Sequence, residues 1–419
     1  MNPWKFDITL AIPDGSRILM LADGTLPVFR SETMFSHLHL LQREVHKTLN
    51  ADITLLRLVA ELPNRETRIV RAVWLVENRT PDWTPPAGST WITDSTSITD
   101  EWLQGAVDKA LELLQDTAPL PPWFYAGWFA EARQWTTHTL TELGYTLTAP
   151  PEQFKQFGIS ALLRTETTDG AVYFKVPNSK PLFCNEPSVT QTLSTLFPQN
   201  IPTPIAIDPE RRWMLTKDMG NTLRDNGAPS PETLKRVIQE YAQFQIQSIQ
   251  HIDTLLDAGC LDRRLNVLAN QLDDVSTEAD WLAAIPKIKA LCHELAGFNI
   301  PHTLVHGDFH AANIIIQDES VIYFDWTDAC IAHPFLDPLP LIDFDAQDHA
   351  EMIRDAYLAC WTDFAPMPEL RRAYDIATIL AAAHQIVSYH HIHAAMPPHE
   401  QGNWEWAVPH FMKTIFKEL

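Results

Sequence analysis

The chain has 419 residues, 45% of them hydrophobic, and a formal net charge of −22, which indicates a globular protein with more than one core. The acidic balance argues against a nucleic-acid partner, because such proteins carry a basic face. No apolar run approaches the ~20 residues of a membrane helix, and the five scattered cysteines form no disulfide or zinc pattern. We therefore expect a cytoplasmic protein with no membrane partner.

Residues 1–116 are predicted to form an α+β accessory domain. Alternating apolar residues indicate strands in this segment, and two amphipathic stretches indicate helices. The strand candidates are FDITLAI, SRILMLA, ITLLRLVAEL and TRIVRAVWLVE, and the helix candidates are FSHLHLLQREVHKTLN and TDEWLQGAVDKALELLQ.

The order of these elements resembles that of a Nudix hydrolase domain, whose R-E-x-x-E-E box binds metal on one helix face. Arg43 and Glu44 match the box, but Lys47 and Thr48 occupy the positions of its last two acids. A lysine at that point opposes metal binding, so we expect a degenerate Nudix-like unit without hydrolase activity. Its expected role is accessory or dimerising, which leaves a homodimer open.

Residues 117–150 are predicted to form a linker and one helix, in which Trp128 and Trp135 share a core-facing side. The next segment, residues 151–220, is rich in strand patterns. A helix is expected near Glu186, and an Asp-Gly pair predicts a hairpin turn. The strand candidates are QFKQFG, SALLRTETT, AVYFKVP and RWMLTKD.

Residues 221–419 are predicted to be mainly helical. Ser230 and the proline after it have the pattern of an N-cap and a first-turn proline, and the helix is expected to end near Gly259. Further along, His384 and His391 lie seven residues apart on one predicted helical face. We interpret that face as a polar surface or as part of a substrate pocket.

The most informative stretch is LVHGDFHAANIIIQDESVIYFDW, residues 304–326. A polar cluster precedes one apolar strand, and a turn and a second strand carry Asp325 back toward it. Such a hairpin would place the Asn313 amide and the Asp325 carboxylate beside Asp308. These oxygen groups suit Mg²⁺, which keeps positions for phosphate oxygens. A carboxylate that stays off the metal can accept a proton from an attacking hydroxyl, as phosphoryl transfer requires.

The same stretch raises a second metal hypothesis. His302, His306 and His310 recur every fourth residue, which on a helix would align three ligands. Pro301, Gly307 and the following strand oppose a continuous helix, so we do not expect a histidine metal site.

The pattern HGDFHAAN…YFDW resembles the catalytic and metal-binding loops of the aminoglycoside phosphotransferase and choline kinase superfamily. That superfamily is the small-molecule branch of the protein-kinase-like fold. The resemblance implies a bilobal α+β fold, with a small β-rich N-lobe and a helical C-lobe after the accessory domain. It also implies that Asp308 is the catalytic base, that His306 braces the catalytic loop, and that Asn313 and Asp325 bind Mg²⁺.

A second segment, HPFLDPLPL, resembles the superfamily's G-D-P-x-x-D-L pattern. The resemblance makes Asp337 a structural carboxylate that holds the catalytic loop. His333 stands where an aspartate is common, so no role is given to it.

The nucleotide would be held by residues of the β-rich segment. A kinase-like site needs a lysine on a strand and a glutamate that orients it; Lys175 in AVYFKVP and Glu186 at the start of the next helix match these requirements. Ser160 lies in the phosphate-covering loop KQFGIS. Adenine would be held by the backbone near Leu215 and Lys217.

These features predict an ATP- and Mg²⁺-dependent phosphotransferase that phosphorylates a hydroxyl group of a small molecule. The alternative is a non-catalytic nucleotide- or ligand-binding regulatory module that retains the kinase-like fold. A protein kinase is disfavoured because the loop lacks the glycine triad and H-G-D replaces H-R-D. The sequence leaves the acceptor molecule open.

Overall fold

The computed structural model describes residues 3–116, 119–179, 182–275, 278–396 and 401–418. The chain packs as two compact units, the first comprising Met1–Val176 with Met396–Glu400 and the second comprising Pro177–Ala395 with Gln401–Leu419. Among the helices of the described residues, none combines the length and apolar character needed to cross a bilayer.

The first unit contains mixed secondary structure. Its strands are β1 (Lys5–Ala11), β2 (Pro13–Asp14), β3 (Arg17–Met20), β4 (Val28–Ser31), β5 (Ile53–Asn64), β6 (Ile69–Asn78), β7 (Thr90–Ile92), β8 (Glu152–Gln156), β9 (Ser160–Thr167) and β10 (Gly170–Pro177). Its helices are α1 (Leu38–Leu49), α2 (Glu101–Leu113) and α3 (Trp128–Glu142). Every strand and helix candidate from this part of the sequence is present within a few residues of its predicted position.

A four-stranded sheet in the order β4-β1-β6-β5 carries two apolar faces. Side chains of successive strand residues point to opposite faces, so Ile8 and Leu10 of β1 pack with α1 while Ala11 packs with α2. Strand β1 is parallel to β6 and antiparallel to β4. The N-terminal segment is therefore an α+β layer structure, as expected.

The second group of strands in the first unit is β8, β9 and β10, adjacent in that order. Helix α3 packs on β10, because the rings of Trp128 and Trp135 lie 6.0 and 5.9 Å from that of Phe174. The core-facing role predicted for these tryptophans is confirmed.

The second unit is mainly helical. Its helices are α4 (Glu186–Leu196), α5 (Pro231–Ser248), α6 (Ile252–Asp257), α7 (Leu265–Gln271), α8 (Ala279–Ala296), α9 (Leu339–Asp345), α10 (Ala350–Leu358), α11 (Met367–Ala395) and α12 (Ala407–Glu418). Its strands are β11 (Ala206–Asp208), β12 (Trp213–Lys217), β13 (Leu261–Asp262), β14 (Thr303–Val305), β15 (Ile314–Gln317), β16 (Ser320–Tyr323) and β17 (Cys330–Ala332).

Helix α5 begins as predicted, with Ser230 as its N-cap, but it ends at Ser248 and not near Gly259. A 3₁₀ turn over 249–251 separates it from α6. The Ser248 hydroxyl accepts a hydrogen bond from Leu304 N at 2.9 Å. The end of α5 is thus tied to β14 by a tertiary contact, and sequence periodicity continues past it.

Small sheets position the polar loop of the second unit. Strands β13, β17 and β14 form one sheet in that order, and β15 and β16 form a separate antiparallel hairpin. One apolar core joins these strands to α5, α8, α10 and α11. The loop over residues 306–313 therefore leaves a buried strand and enters a buried hairpin.

Candidate active site

Asn313 and Asp325 flank the open end of the β15–β16 hairpin. Ile314 pairs with Tyr323, and the Phe324 N–H donates to the Asn313 carbonyl oxygen at 3.2 Å. The predicted hairpin is confirmed. Asp325 follows immediately and has a left-handed backbone (φ 64°, ψ 63°), a conformation that aspartate and asparagine tolerate better than most residues.

The Asp308 carboxylate is fixed by side chains of its own loop. Asn313 Nδ2 donates to the Asp308 carbonyl oxygen at 3.0 Å and to Oδ2 at 3.3 Å. Because both partners of this amide nitrogen are acceptors, the amide oxygen of Asn313 points away from Asp308. The Asp308 side chain keeps 39% of its surface exposed, so a substrate can reach it.

His310 supplies the second contact to Asp308. Its Nδ1 accepts a hydrogen bond from Ala312 N at 3.2 Å, so the proton lies on Nε2, which is 3.3 Å from Asp308 Oδ2. Burial favours the neutral form of Asp308, but the His310 hydrogen bond and charge outweigh it and hold the pKa of Asp308 below its ordinary value. Burial also opposes the imidazolium, yet the same hydrogen bond raises the pKa of His310.

His306 braces the loop from inside the core. Its ring is fully buried, and Nε2 donates to the Phe324 carbonyl oxygen at 2.9 Å, which joins the loop to the residue before Asp325. Burial lowers the pKa of His306, so the ring is neutral at pH 7. A fully buried ring does not touch a substrate, so this contact is of the loop-bracing kind predicted for His306; its role in catalysis stays a prediction.

Asp337 holds the start of the loop by its backbone. Its Oδ2 accepts from His306 N at 2.7 Å, and its Oδ1 accepts from Gly307 N at 3.0 Å. The Tyr241 hydroxyl also donates to Oδ2. The loop-holding contact predicted for Asp337 is present. Burial raises the pKa of this carboxyl, although its donors oppose the rise.

Three further contacts hold the remainder of the loop, and the sequence did not point to them. Asp345 accepts from Ala311 N at 2.9 Å and forms a bidentate pair with Arg224. Gln385 of α11 donates to the Gly307 carbonyl oxygen at 2.8 Å. These anchors come from distant parts of the chain, so the loop geometry is set by the fold of the second unit.

Thr327 joins two of the predicted functional carboxylates. Its hydroxyl lies 3.0 Å from Glu186 Oε2 and 3.0 Å from Asp325 Oδ1. Glu186 is the first residue of α4 and is 1% exposed. The structure thus brings Glu186 and Asp325 to one hydroxyl group, a link that no sequence motif indicates.

The remaining predicted nucleotide residues lie in strands. Lys175 is half-buried in β10, and Ser160 is the first residue of β9. Leu215 of β12 is fully buried and its carbonyl oxygen accepts from Ile205 N at 2.7 Å, whereas Lys217 is exposed. The roles of these residues toward a nucleotide stay predictions.

The histidines singled out by spacing are dispersed. His302 precedes β14 and His306 follows it, so the predicted absence of a continuous helix there is confirmed. His384 is 2% exposed, with Nε2 3.8 Å from Cys330 Sγ. The polar-surface interpretation is therefore wrong for His384, because that side of α11 packs into the core. His333 is also buried, which lowers its pKa to about 3.

The donor set at the hairpin suits Mg²⁺. This ion is usually held by one or two protein oxygen ligands together with substrate phosphates. The Asn313 amide oxygen is turned away from Asp308, and the Asp325 carboxylate at the same end of the hairpin is half-buried. Both groups offer hard oxygen atoms, so the residues present fit this ion.

Comparison with known proteins gives one family and a set of solved structures. A model described as the phosphotransferase enzyme family (APH) matches residues 163–375, half of the chain. No curated protein matches. The matched segment leaves the N-terminal α+β layer outside it, so the Nudix-like prediction is not confirmed.

The ethanolamine kinase of Plasmodium vivax has 11% identity and a TM-score of 0.50, covering 74% of this chain and 95% of its own. A choline/ethanolamine kinase family protein from Mesorhizobium loti has 15% identity and a TM-score of 0.48, covering 69% and 94%. Choline kinase from Streptococcus pneumoniae has 15% identity and a TM-score of 0.45, covering 68% and 99%. The first of these similarities shows a shared mixed α+β fold and, at this identity, the fold alone.

Proposed function

Because the chain belongs to the phosphotransferase enzyme family, we propose that it transfers the γ-phosphoryl group of ATP to a hydroxyl group of a small molecule. The observation that carries the proposal is the fixed carboxylate of Asp308, which stands at the open end of the hairpin that bears Asn313 and Asp325. Positioning and electrostatic stabilisation supply most of the catalysis in phosphoryl transfer.

Asp308 is the proposed base. Its contacts with Asn313 and His310 both use Oδ2, which leaves Oδ1 to accept the proton of the acceptor hydroxyl. The lowered pKa of Asp308 keeps the carboxylate ionised at neutral pH. A weakly basic carboxylate serves here because the hydroxyl becomes acidic only as its bond to phosphorus forms, so orientation matters more than basicity.

Asn313 and Asp325 are the proposed Mg²⁺ ligands. The ion, when bound with the nucleotide, neutralises charge on the phosphate oxygens. Asn313 has a second task, since its amide nitrogen orients Asp308. Thr327 holds Asp325 by one hydrogen-bonding contact at 3.0 Å, which limits the positions that the carboxylate can adopt.

Lys175 and Glu186 are proposed to position the nucleotide phosphates, and Ser160 to contact them from the covering loop. The Leu215 carbonyl oxygen already accepts a hydrogen bond from Ile205 N. We therefore propose that adenine forms hydrogen bonds with the backbone that follows Leu215, toward Lys217. The charge of −22 favours a neutral or cationic acceptor over an anionic macromolecule.

The test separates binding from turnover. We expect Asp308→Asn to abolish ATP consumption with any acceptor found in a panel of hydroxylated small molecules, while Mg·ATP affinity measured by calorimetry stays near that of the wild type. Asp325→Asn should weaken Mg·ATP binding itself. Asparagine is chosen because it tolerates the left-handed backbone at position 325.

Asp318→Asn is the matched control. Asp318 is exposed, has a left-handed backbone (φ 53°) and lies in the turn of the same hairpin, so the change removes the same charge outside the site. Turnover by Asp308→Asn at the rate of the wild type would refute the base assignment. Mg·ATP binding by a wild type that consumes no ATP with any acceptor would favour the regulatory module instead.

A further inference from the structure

The first unit contains a cavity of about 320 Å³ between α1, α3 and the start of β8. Its walls include three arginines: Arg43 of α1, Arg79 after β6, and Arg133 of α3. The volume is within the range of small-molecule sites. Such a concentration of guanidinium groups is unexpected in a chain with a net charge of −22.

The two acidic residues of the cavity wall are already engaged. Glu152 forms a bidentate pair with Arg43, with Arg43 Nη2 at 2.7 and 2.9 Å from its two oxygens. Asp52 Oδ1 lies 2.9 Å from His46 Nδ1. These pairings leave two cations, Arg79 and Arg133, for which the described residues supply no carboxylate hydrogen bond.

The Arg79 side chain is held in place, but not all of its hydrogen-bond donors have an acceptor among the described residues. Its guanidinium carbon lies 4.8 Å from the centre of the Phe129 ring, and Nη2 donates to the Ile53 carbonyl oxygen at 3.1 Å. Its Nε is buried and has no hydrogen-bond partner among the described residues. A buried donor without an acceptor is unfavourable, so the described residues do not use the full hydrogen-bonding capacity of this guanidinium group.

The charges near Arg79 support the same conclusion. Burial lowers the pKa of Arg79, the Asp52 and Glu77 charges raise it, and the Arg133 charge lowers it further. Of these two acids, Asp52 contacts His46, and Glu77 Oε1 accepts from Gly127 N at 2.9 Å. The Arg133 charge still opposes that of Arg79, and an anion bound near both guanidinium groups would reduce this repulsion.

We propose that this cavity binds a small phosphorylated molecule, with Arg79 and Arg133 as ligands of the phosphate group and the exposed ring of Pro150, which also lines the cavity, against the organic part. Guanidinium groups match phosphate oxygens with paired N–H donors. All lining residues of this site belong to the first unit, and the proposal does not depend on the proposed phosphotransferase activity.

The test is calorimetric titration of the full chain with phenyl phosphate, inorganic phosphate and benzoate. We expect saturable binding of phenyl phosphate, weaker binding of inorganic phosphate because it lacks the ring, and no measurable binding of benzoate. Arg133→Gln should weaken phenyl phosphate binding about 10-fold or more, since it removes charged hydrogen-bond donors. Arg79→Gln should do the same.

Arg65→Gln is the matched control, because Arg65 is exposed in a turn of the same unit and the change removes the same charge. The affinity of Arg65→Gln for phenyl phosphate should equal that of the wild type. Asp325→Asn should also bind phenyl phosphate normally, which excludes the hairpin site as the source of the signal. Absence of saturable binding, equal affinity of Arg133→Gln and wild type, or equal binding of benzoate would each overturn the proposal.

Discussion

Replacing Gly307 by alanine tests whether the contact between the catalytic loop and the turn after Asp325 sets the site geometry. Gly307 has a φ of +84°, and a Cβ there would lie 2.5 Å from the Asp328 carbonyl oxygen and 2.8 Å from its Cβ. A left-handed backbone costs an L-residue about 1–2 kcal/mol, and overpacking adds about 1–3 kcal/mol. The free energy of unfolding should therefore fall by about 2–5 kcal/mol.

The same substitution should slow turnover. Since the obstructing atoms are the carbonyl oxygen and Cβ of Asp328, the clash is relieved only if the loop or the turn at Asp328 moves, which displaces Asp308 relative to Asp325. A shift of about 1 Å in a catalytic group can cost about 100-fold in rate, so we expect a loss of that order in kcat/KM. Urea unfolding followed by circular dichroism gives the stability, and ATP consumption with an identified acceptor gives the rate.

Gly227→Ala is the control for backbone strain. Gly227 also has a positive φ, +94°, but no atom lies within 4 Å of the position that the alanine Cβ would take, so only the conformational cost of about 1–2 kcal/mol applies. Its turnover should match that of the wild type. If the two alanine variants lose equal stability and equal activity, the collision with Asp328 does not determine the loop position.

Two further predictions concern hydrogen bonds of the site. In an NMR titration, the pKa of His310 should lie above its ordinary value and should fall in Asp308→Asn, because the carboxylate charge stabilises the imidazolium; an unchanged midpoint would contradict the pairing. Thr327→Val should weaken Mg·ATP binding about 10- to 100-fold in calorimetry, since it removes the hydroxyl shared by Glu186 and Asp325. Thr327→Ser keeps the hydroxyl and should bind Mg·ATP with the affinity of the wild type. If Thr327→Val also binds Mg·ATP as tightly as the wild type, the shared hydroxyl does not contribute to the site.

Local features of the sequence predicted much of this structure. The hairpin at residues 314–323 follows from two short apolar runs around a polar turn, and the start of α5 follows from a serine cap before proline. The loop motif selected Asp308 and Asn313 by residue type and spacing, and their side chains do contact each other; the roles predicted for them and for Asp325 stay predictions. Each of these signals lies within about twenty residues, where chain connectivity limits the available geometries.

Features set by distant contacts were not predictable in the same way. The end of α5 is joined to β14 by the bond between Ser248 and Leu304, and the loop is bonded to Asp345 and Gln385. Thr327 has no pattern that separates it from any other threonine beside a turn. Such residues act through partners far away in the chain, and one sequence carries no record of which pairs meet.

The left-handed backbone of Asp325 restricts how this position can diverge. Glutamate would retain a negative charge, but it tolerates a left-handed backbone poorly. Its longer side chain would also move the carboxylate oxygen atoms away from the Thr327 hydroxyl that Asp325 contacts. Asparagine would keep the conformation and lose the charge, while glycine would relax the backbone and lose the proposed ligand. Conservative exchange, in the usual sense of similar chemistry, is therefore a poor guide to tolerance at this residue.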